Sequence, residues 1–248
     1  MSRAAALFFA IVAYAIFFAT FLYLIAFVGD LPVPKTVDLP PSALPPLGAA
    51  LIDVALIALF GLQHSVMARP GFKRWWTRMV PTPIERSVYV LCASIVLLVL
   101  FWFWEPIGGT VWLVSSNTRW LTFILWGGFL AGFGIVLVST FLINHFELFG
   151  LQQAWFNLRG RPAEAPELRQ PLFYKWVAHP LYAGFFLAFW STPHMTLGHL
   201  LLALGLSIYM LVAIRYEESD LGDLFGEDYR RYRASVGMLV PRFRGRST

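Results

Sequence analysis

The sequence predicts an all-α integral membrane protein with about five transmembrane helices, the last two a helical hairpin, and a C-terminal amphipathic helix. Of its 248 residues, 58% are hydrophobic and only 13% are charged, whereas soluble domains carry about 25% charged residues. The apolar residues form runs of about 20, the length that crosses a bilayer as a helix. Aromatic residues make up 17% of the chain, and Trp and Tyr gather at membrane interfaces.

Four apolar runs in the first part of the chain are long enough to be single spans. The proline-rich segment 29–46 cannot be helical and separates the first two runs. The first run is longer than a signal-peptide core and is followed by no A-x-A-like cleavage site, so we expect it to be retained. The predicted spans are residues 5–28, 47–67, 87–104 and 120–143.

A polar stretch, 144–178, precedes the predicted hairpin. Its arms are 179–192 and 197–214, with a break at Pro193, and the first arm is short for a span. In the tail, apolar side chains recur at three- and four-residue spacing with charges between them, which predicts an amphipathic helix on the cytoplasmic face or over a site there. These side chains are Leu221, Leu224, Phe225, Tyr229, Tyr232 and Val236. We expect residues 1–248 to form a single membrane domain.

Nearly all of the positive charge is concentrated on one predicted face. Of 19 Lys and Arg residues, only Lys35 and Arg119 fall in the first and third loops. The positive-inside rule therefore places the N-terminus, the second loop and the tail in the cytoplasm. Because the basic residues lie between apolar spans, we expect the lipid bilayer as partner and no nucleic acid. The end of the tail adds Arg242, Arg244 and Arg246, which could meet anionic lipid.

Two polar groups flank the predicted hairpin. Glu217 and Glu218 follow the last span, where a carboxylate is costly unless it is solvated or paired. They are either a solvated helix end or acceptors for a polar ligand. His179 and Tyr182 share a helix face because they are three residues apart, and Pro180 suits the first helical turn. His179 could equally be a hydrogen-bonded structural group.

The histidines offer little support for a metal site. The sequence contains no H-E-x-x-H motif, and the single cysteine, Cys92, excludes an intrachain disulfide and a cysteine-rich metal site. Three histidines (His64, His145 and His179) are predicted on the cytoplasmic side, where they could bind a metal or surround an organic cofactor; we expect no metal. Asp53 is the only acidic residue inside an apolar run, which argues against a transporter. Three glycines predict close helix packing: Gly127, Gly128 and Gly132.

A multi-part motif covers the last third of the chain. Tyr174 lies five residues before His179-Pro180-Leu181-Tyr182, and Glu217-Glu218 and a Phe-Gly-x-x-Tyr-x-x-Tyr segment that starts at Phe225 follow in order. This pattern resembles the membrane methyltransferases of the isoprenylcysteine carboxyl methyltransferase type, which are similar to phospholipid N-methyltransferases. The resemblance implies that 144–248 is a cofactor-binding half and that S-adenosylmethionine is held by Tyr174, His179, Tyr182 and Glu217. Neighbours in the same motifs join them as candidates: Leu181, Glu218, Tyr229 and Tyr232.

Two positions depart from the pattern of the prenylcysteine enzymes. Ala178 stands where an arginine usually precedes the His-Pro-x-Tyr motif, and Ala213 stands where an arginine would meet the substrate carboxylate. A carboxylate substrate would lose its partner, which argues against carboxyl methylation.

Segments at both ends of the chain resemble a bacterial branch, the methanethiol S-methyltransferases, with NnrU-like proteins as relatives. These segments are 63–69, 85–91, 144–151 and 192–200. The resemblance implies a bacterial inner-membrane enzyme that converts methanethiol to dimethyl sulfide. His64 and His145 are the candidate proton acceptors, unless they only bridge helices. Two alternatives stay open: another acceptor (prenylcysteine or phospholipid), and a non-enzymatic NnrU-like respiratory accessory protein.

Overall fold

The computed structural model describes residues 1–162 and 167–242; Arg244 and Arg246 of the predicted basic end lie outside them. The described chain is built from α-helices with one small sheet. The helices are α1 (Arg3–Val28), α2 (Pro46–Ala68), α3 (Pro70–Trp76), α4 (Thr82–Phe103), α5 (Arg119–Ile143), α6 (His145–Leu148), α7 (Leu151–Arg159), α8 (Pro180–Trp190), α9 (Leu197–Phe225) and α10 (Glu227–Ser235). The strands are β1 (Thr110–Leu113) and β2 (His194–Thr196), and short 3-10 helices occur at Ser116–Thr118 and Leu172–Lys175.

Five helices of the described chain are long and apolar enough to cross a membrane, which confirms the predicted fold class. They are α1, α2, α4, α5 and α9. Helix α8, the first arm of the hairpin, has 11 residues. At 1.5 Å per residue it is about 16 Å long, half of a hydrocarbon core. Helix α8 alone is therefore too short to cross the bilayer.

The tail does not form one separate amphipathic helix. Helix α9 continues without interruption to Phe225. It ends at Gly226, whose φ of 57° and ψ of −127° are not helical. The charged residues after Ile214 are good helix formers, so they extend the span instead of ending it. Only the second half of the predicted pattern, with Tyr229 and Tyr232, belongs to the short helix α10.

Helices α5 and α8 pack backbone against backbone. A Cβ atom at Gly132 would lie 2.6 Å from both the Gly184 carbonyl oxygen and the Ala188 nitrogen. One at Gly128 would lie 2.7 Å from the Ser191 hydroxyl. The predicted close packing is therefore right for these two glycines. It is wrong for Gly127, because a Cβ atom there would meet nothing within 4 Å.

One face of the molecule collects the loops after α1, α4 and α8. Strand β1 pairs antiparallel with β2, an association that the sequence pattern did not indicate. The Lys35 ammonium donates to the Trp102 and Trp104 carbonyls at 2.8 Å. The fully buried carboxylate of Asp53 accepts from the Glu105 backbone N–H at 2.9 Å. Asp53 thus ties α2 to the loop after α4.

The opposite face collects the end of α2 and the end of α9. Arg69 forms an ion pair with Asp220 at 3.1 Å, and its guanidinium lies 5.0 Å from the ring centre of Tyr216. The site residues lie at this face, together with the basic second loop.

Candidate active site

His179 lies at the start of α8, where it is almost fully buried. Pro180 occupies the first turn of the helix, and the His179 backbone N–H donates to the Met238 carbonyl at 3.1 Å. The imidazole points at the end of α9: its Nε2 lies 3.1 Å from Oε1 of Glu218 and its Nδ1 lies 4.0 Å from Oε2 of Glu217. A carboxylate only accepts hydrogen bonds, so Nε2 carries the proton.

The two adjacent glutamates have different surroundings. Oε1 of Glu218 accepts from His179 and also from Nε of Arg233. The Tyr182 hydroxyl lies close to Glu217, and the Glu217 side chain is 44% exposed against 27% for Glu218. Glu218 therefore links α8, α9 and α10, whereas Glu217 presents carboxylate surface that a ligand can reach.

The tail closes over the segment before α8. The Tyr232 hydroxyl donates to the Tyr174 carbonyl at 2.9 Å and lies 3.3 Å from the Val177 carbonyl. The Ala178 N–H donates to the Gly237 carbonyl at 2.8 Å. Burial raises the pKa of Tyr232 to about 12. The pKa of Tyr174 is also raised, first by burial and then by the charge of Glu217. Both phenols are neutral hydrogen-bonding groups at physiological pH.

Tyr229 has a buried hydroxyl with no hydrogen-bond partner among the described residues. Burial, followed by the charges of Glu218 and Glu217, raises its pKa, so the phenol keeps its proton. A buried polar group without a partner is unusual and is available to a ligand. Leu181 packs against the main apolar core beside Tyr182. It belongs to the first turn of α8, where backbone N–H groups have no partner within the helix.

His64 lies in an aromatic group that adjoins Glu217. Its ring centre is 5.1 Å from that of Tyr89, 5.4 Å from Phe60 and 6.3 Å from Tyr209. The Nδ1 atom of His64 is buried and has no hydrogen-bond partner among the described residues. Tyr209 lies on α9 eight residues before Glu217, about two helical turns away on the same helix. The structure therefore brings His64 and the His-Pro-x-Tyr segment to neighbouring positions.

Tyr89 and Tyr209 were not singled out in the sequence. Tyr89 lies in one of the segments that carry the resemblance, and Tyr209 precedes Glu217 by eight residues, close to two helical turns. The segment around Tyr89 and the spacing between Tyr209 and Glu217 could have identified these two tyrosines as candidates.

His145 has a different environment. Its Nε2 lies 2.8 Å from the Tyr14 hydroxyl, its Nδ1 lies 2.8 Å from the Thr140 hydroxyl, and its ring stacks on Phe141 at 4.0 Å. Burial lowers the pKa of His145. Both ring nitrogens are engaged, and these partners connect α1 with α5. The contacts described for His145 do not include His179, Tyr182 or Glu217.

Over residues 1–162 and 167–242, no group of three or more His, Cys, Asp and Glu side chains is placed to hold a metal ion. The polar groups that do come together are phenols, imidazoles and carboxylates, which suit an organic ligand with hydroxyl and ammonium groups.

Fold and site define an α-helical integral membrane protein with a polar, aromatic-lined site at one membrane face. The chain belongs to the methanethiol S-methyltransferase family. It is 52% identical over 219 residues to the methanethiol S-methyltransferase of Pseudomonas deceptionensis, covering 88% of this chain and 82% of that protein. It is 48% identical over 242 residues to that of Mycobacterium tuberculosis, covering 97% and 98%. Nurim of Xenopus laevis is 29% identical over 175 residues, covering 68% and 61%. No family model and no solved structure matches the chain.

Proposed function

We propose that this protein methylates methanethiol to dimethyl sulfide with S-adenosylmethionine, at a site on the cytoplasmic face of a bacterial inner membrane. The printed names of its relatives support the reaction. The observation that carries the proposal for the site is the position of Glu217: its open carboxylate lies beside His179, on the same helix as Tyr209 of the aromatic group around His64.

The residues around Glu217 fit the chemical groups of the donor. The carboxylate can accept from an ammonium or from ribose hydroxyls, and the neutral phenols of Tyr174, Tyr182 and Tyr229 can donate to polar atoms. When bound, S-adenosylmethionine would supply a methyl group on a positively charged sulfur, and that sulfur would leave as a neutral thioether in an in-line displacement. Aromatic ring faces attract such a cation. Glu218 holds His179 in place, so its role is positioning.

We assign to His64 the role of the base that takes the proton of the acceptor thiol. A thiolate is a far stronger nucleophile than a thiol, so a nearby base assists the reaction. The unpaired Nδ1 of His64 accepts the thiol proton, the sulfur electron pair forms the new S–CH₃ bond, and the bond from that methyl group to the sulfonium sulfur breaks. The proton then passes to solvent. His64 is preferred to His145 because both nitrogens of His145 already have partners.

The orientation follows from charge. The face that holds His179 and Glu217 also holds the basic loop after α2, and the positive-inside rule assigns that face to the cytoplasm. A polar donor made in the cytoplasm would then reach the site without crossing the bilayer. Carboxyl methylation is disfavoured because Ala213 is apolar and nearly buried, so no cation stands at that position to bind a substrate carboxylate.

The test is a labelling assay on the purified protein in lipid nanodiscs. Methyl-labelled S-adenosylmethionine is offered with methanethiol, a prenylcysteine or phosphatidylethanolamine, and volatile and lipid products are counted. We expect label in dimethyl sulfide. Label in the prenylcysteine or the lipid alone would assign another acceptor. Absence of both labelled product and donor binding would favour a non-enzymatic accessory protein.

A further inference from the structure

The ring of Tyr209 on α9 rests on the backbone of α2 at Gly61. A Cβ atom at Gly61 would lie 2.9 Å from Cδ2 of Tyr209 and 3.5 Å from its Cγ and Cε2 atoms. The Tyr209 hydroxyl lies close to Ser65, one helical turn further along α2. The ring is therefore in contact with α2 at its edge, and only glycine at position 61 leaves room for it.

Tyr209 forms one wall of the space around His64. Its ring stands almost perpendicular to the imidazole, at 87°, and makes an edge contact with Phe60 at 5.8 Å between ring centres. Tyr89 forms another wall, and its hydroxyl lies 3.4 Å from the His64 carbonyl. Phe60, Tyr89 and Tyr209 thus surround the imidazole, and each of the three keeps part of its surface free.

The close packing of these rings limits the size of an acceptor that binds beside His64. With the acceptor sulfur bound beside His64, a methyl group needs little space, whereas an ethyl or propyl chain would extend toward the volume that the Tyr209 ring occupies. Protein interiors close to such rings do not expand freely. One extra methylene in a tight apolar pocket changes kcat/KM by about 10- to 200-fold.

We propose that Tyr209, seated on Gly61, is the specificity-determining residue that limits the acceptor to the smallest thiols. The inference rests on the proposed function, since it takes the acceptor sulfur to bind beside His64. Tyr209 acts by occupying volume, not by moving a proton.

The experiment compares kcat/KM for 1-propanethiol with kcat/KM for methanethiol in three variants. Tyr209→Ala should raise the propanethiol-to-methanethiol ratio about tenfold or more. Tyr209→Phe keeps the ring and removes only the hydroxyl group, so its ratio should stay within about threefold of wild type. Ile57→Ala is the matched control: Ile57 packs on Gly205 in the same α2–α9 interface, two helical turns before His64 on α2, so its ratio should not change.

The outcomes separate this inference from the proposed function. If wild-type protein forms no dimethyl sulfide, the proposed function fails. If wild type and Tyr209→Ala both methylate methanethiol and the ratio is unchanged, only the role of Tyr209 is overturned. Tyr209→Leu serves if the alanine variant does not fold. Loss of activity toward both thiols in the leucine variant, with donor affinity intact, would also overturn the size-limiting role.

Discussion

The Nε2 atom of His179 lies 3.1 Å from Oε1 of Glu218, although the two residues are 39 positions apart and belong to different helices. The same oxygen also accepts from Arg233 on α10. One carboxylate therefore fixes the start of α8 and the tail, and its charge is matched by a cation. Its neighbour Glu217 is more exposed. Two identical adjacent residues thus have different surroundings.

Glu217→Gln should weaken binding of S-adenosylmethionine about tenfold. A hydrogen bond to a charged group contributes about 1.5–3 kcal/mol, and we take the lower end because the Glu217 side chain is 44% exposed. Isothermal titration calorimetry measures the change. Glu227→Gln is the control, because Glu227 is an exposed carboxylate on α10 paired with Arg230. Equal affinities for the two variants and wild type would remove Glu217 from the donor site.

His64→Ala should lower kcat for methanethiol and leave donor affinity close to wild type. Removal of a general base typically costs about 100- to 10,000-fold in rate. The remaining activity should rise with pH, because solvent must then generate the thiolate. Dimethyl sulfide formation is followed by headspace gas chromatography at pH 7 and pH 9. A variant with full turnover at pH 7 would show that His64 is not the proton acceptor.

His145 should affect stability and its pH dependence. Burial lowers the pKa of His145 below its ordinary value of about 6.5. Above pH 6.5 the residue is neutral in both folded and unfolded chains. As the pH falls below 6.5, the unfolded chain gains a proton that the folded state resists, so the free energy of unfolding decreases. His145→Gln removes this titration. The variant should melt at a lower temperature than wild type at pH 7.5 and lose less on transfer to pH 5.5. If the variant and wild type lose the same amount of melting temperature on transfer to pH 5.5, His145 is not the source of the acid sensitivity.

Gly132→Ala should destabilise the protein strongly. The added methyl group would clash with backbone atoms of α8 at 2.6 Å, and backbone cannot move aside as a side-chain tip can. Overpacking of this kind typically costs about 1–3 kcal/mol or more. Gly127→Ala on the same helix is the matched control, since its methyl group meets nothing within 4 Å. Thermal melting in detergent compares the two. Similar melting temperatures would mean that α5 and α8 do not pack as closely as described.

Single cysteines should report which face is cytoplasmic. Cys92→Ser provides a cysteine-free background. Leu44→Cys lies in the exposed loop before α2 and Arg74→Cys lies in α3 on the opposite face. In intact cells, an impermeant maleimide should label position 44 and not position 74. The reverse pattern would invert the proposed orientation.

The spans were predictable because each is an apolar run of about 20 residues, which is long enough to cross the hydrocarbon core as a helix. The continuation of α9 past Ile214 was not, because charges mark the membrane boundary without ending a helix. Likewise, Gly127 and Gly132 look alike in sequence. What separates them is the direction each faces toward α8, which depends on how the helix is rotated in the bundle.

In the site, the approach of His179 to Glu217 followed from the hairpin, since its two arms return the chain to one face. The partnership of Glu218 with Arg233 depends on how α10 folds back, which no local pattern encodes. Tyr89 and Tyr209 are aromatic residues inside apolar spans, where most such residues only pack. Their relation to His64 becomes visible only once α2, α4 and α9 are placed side by side.

The pairing of β1 with β2 lies at the face opposite the site. It joins the loop between α4 and α5 to the loop between α8 and α9, so these four helices are fastened together at one end. At the site end, side-chain contacts between helices take over this role: Glu218 with His179, and Arg69 with Asp220. The backbone thus joins the helices at one end of the molecule and charged side chains join them at the other, so a change of pH or salt acts on the site end first.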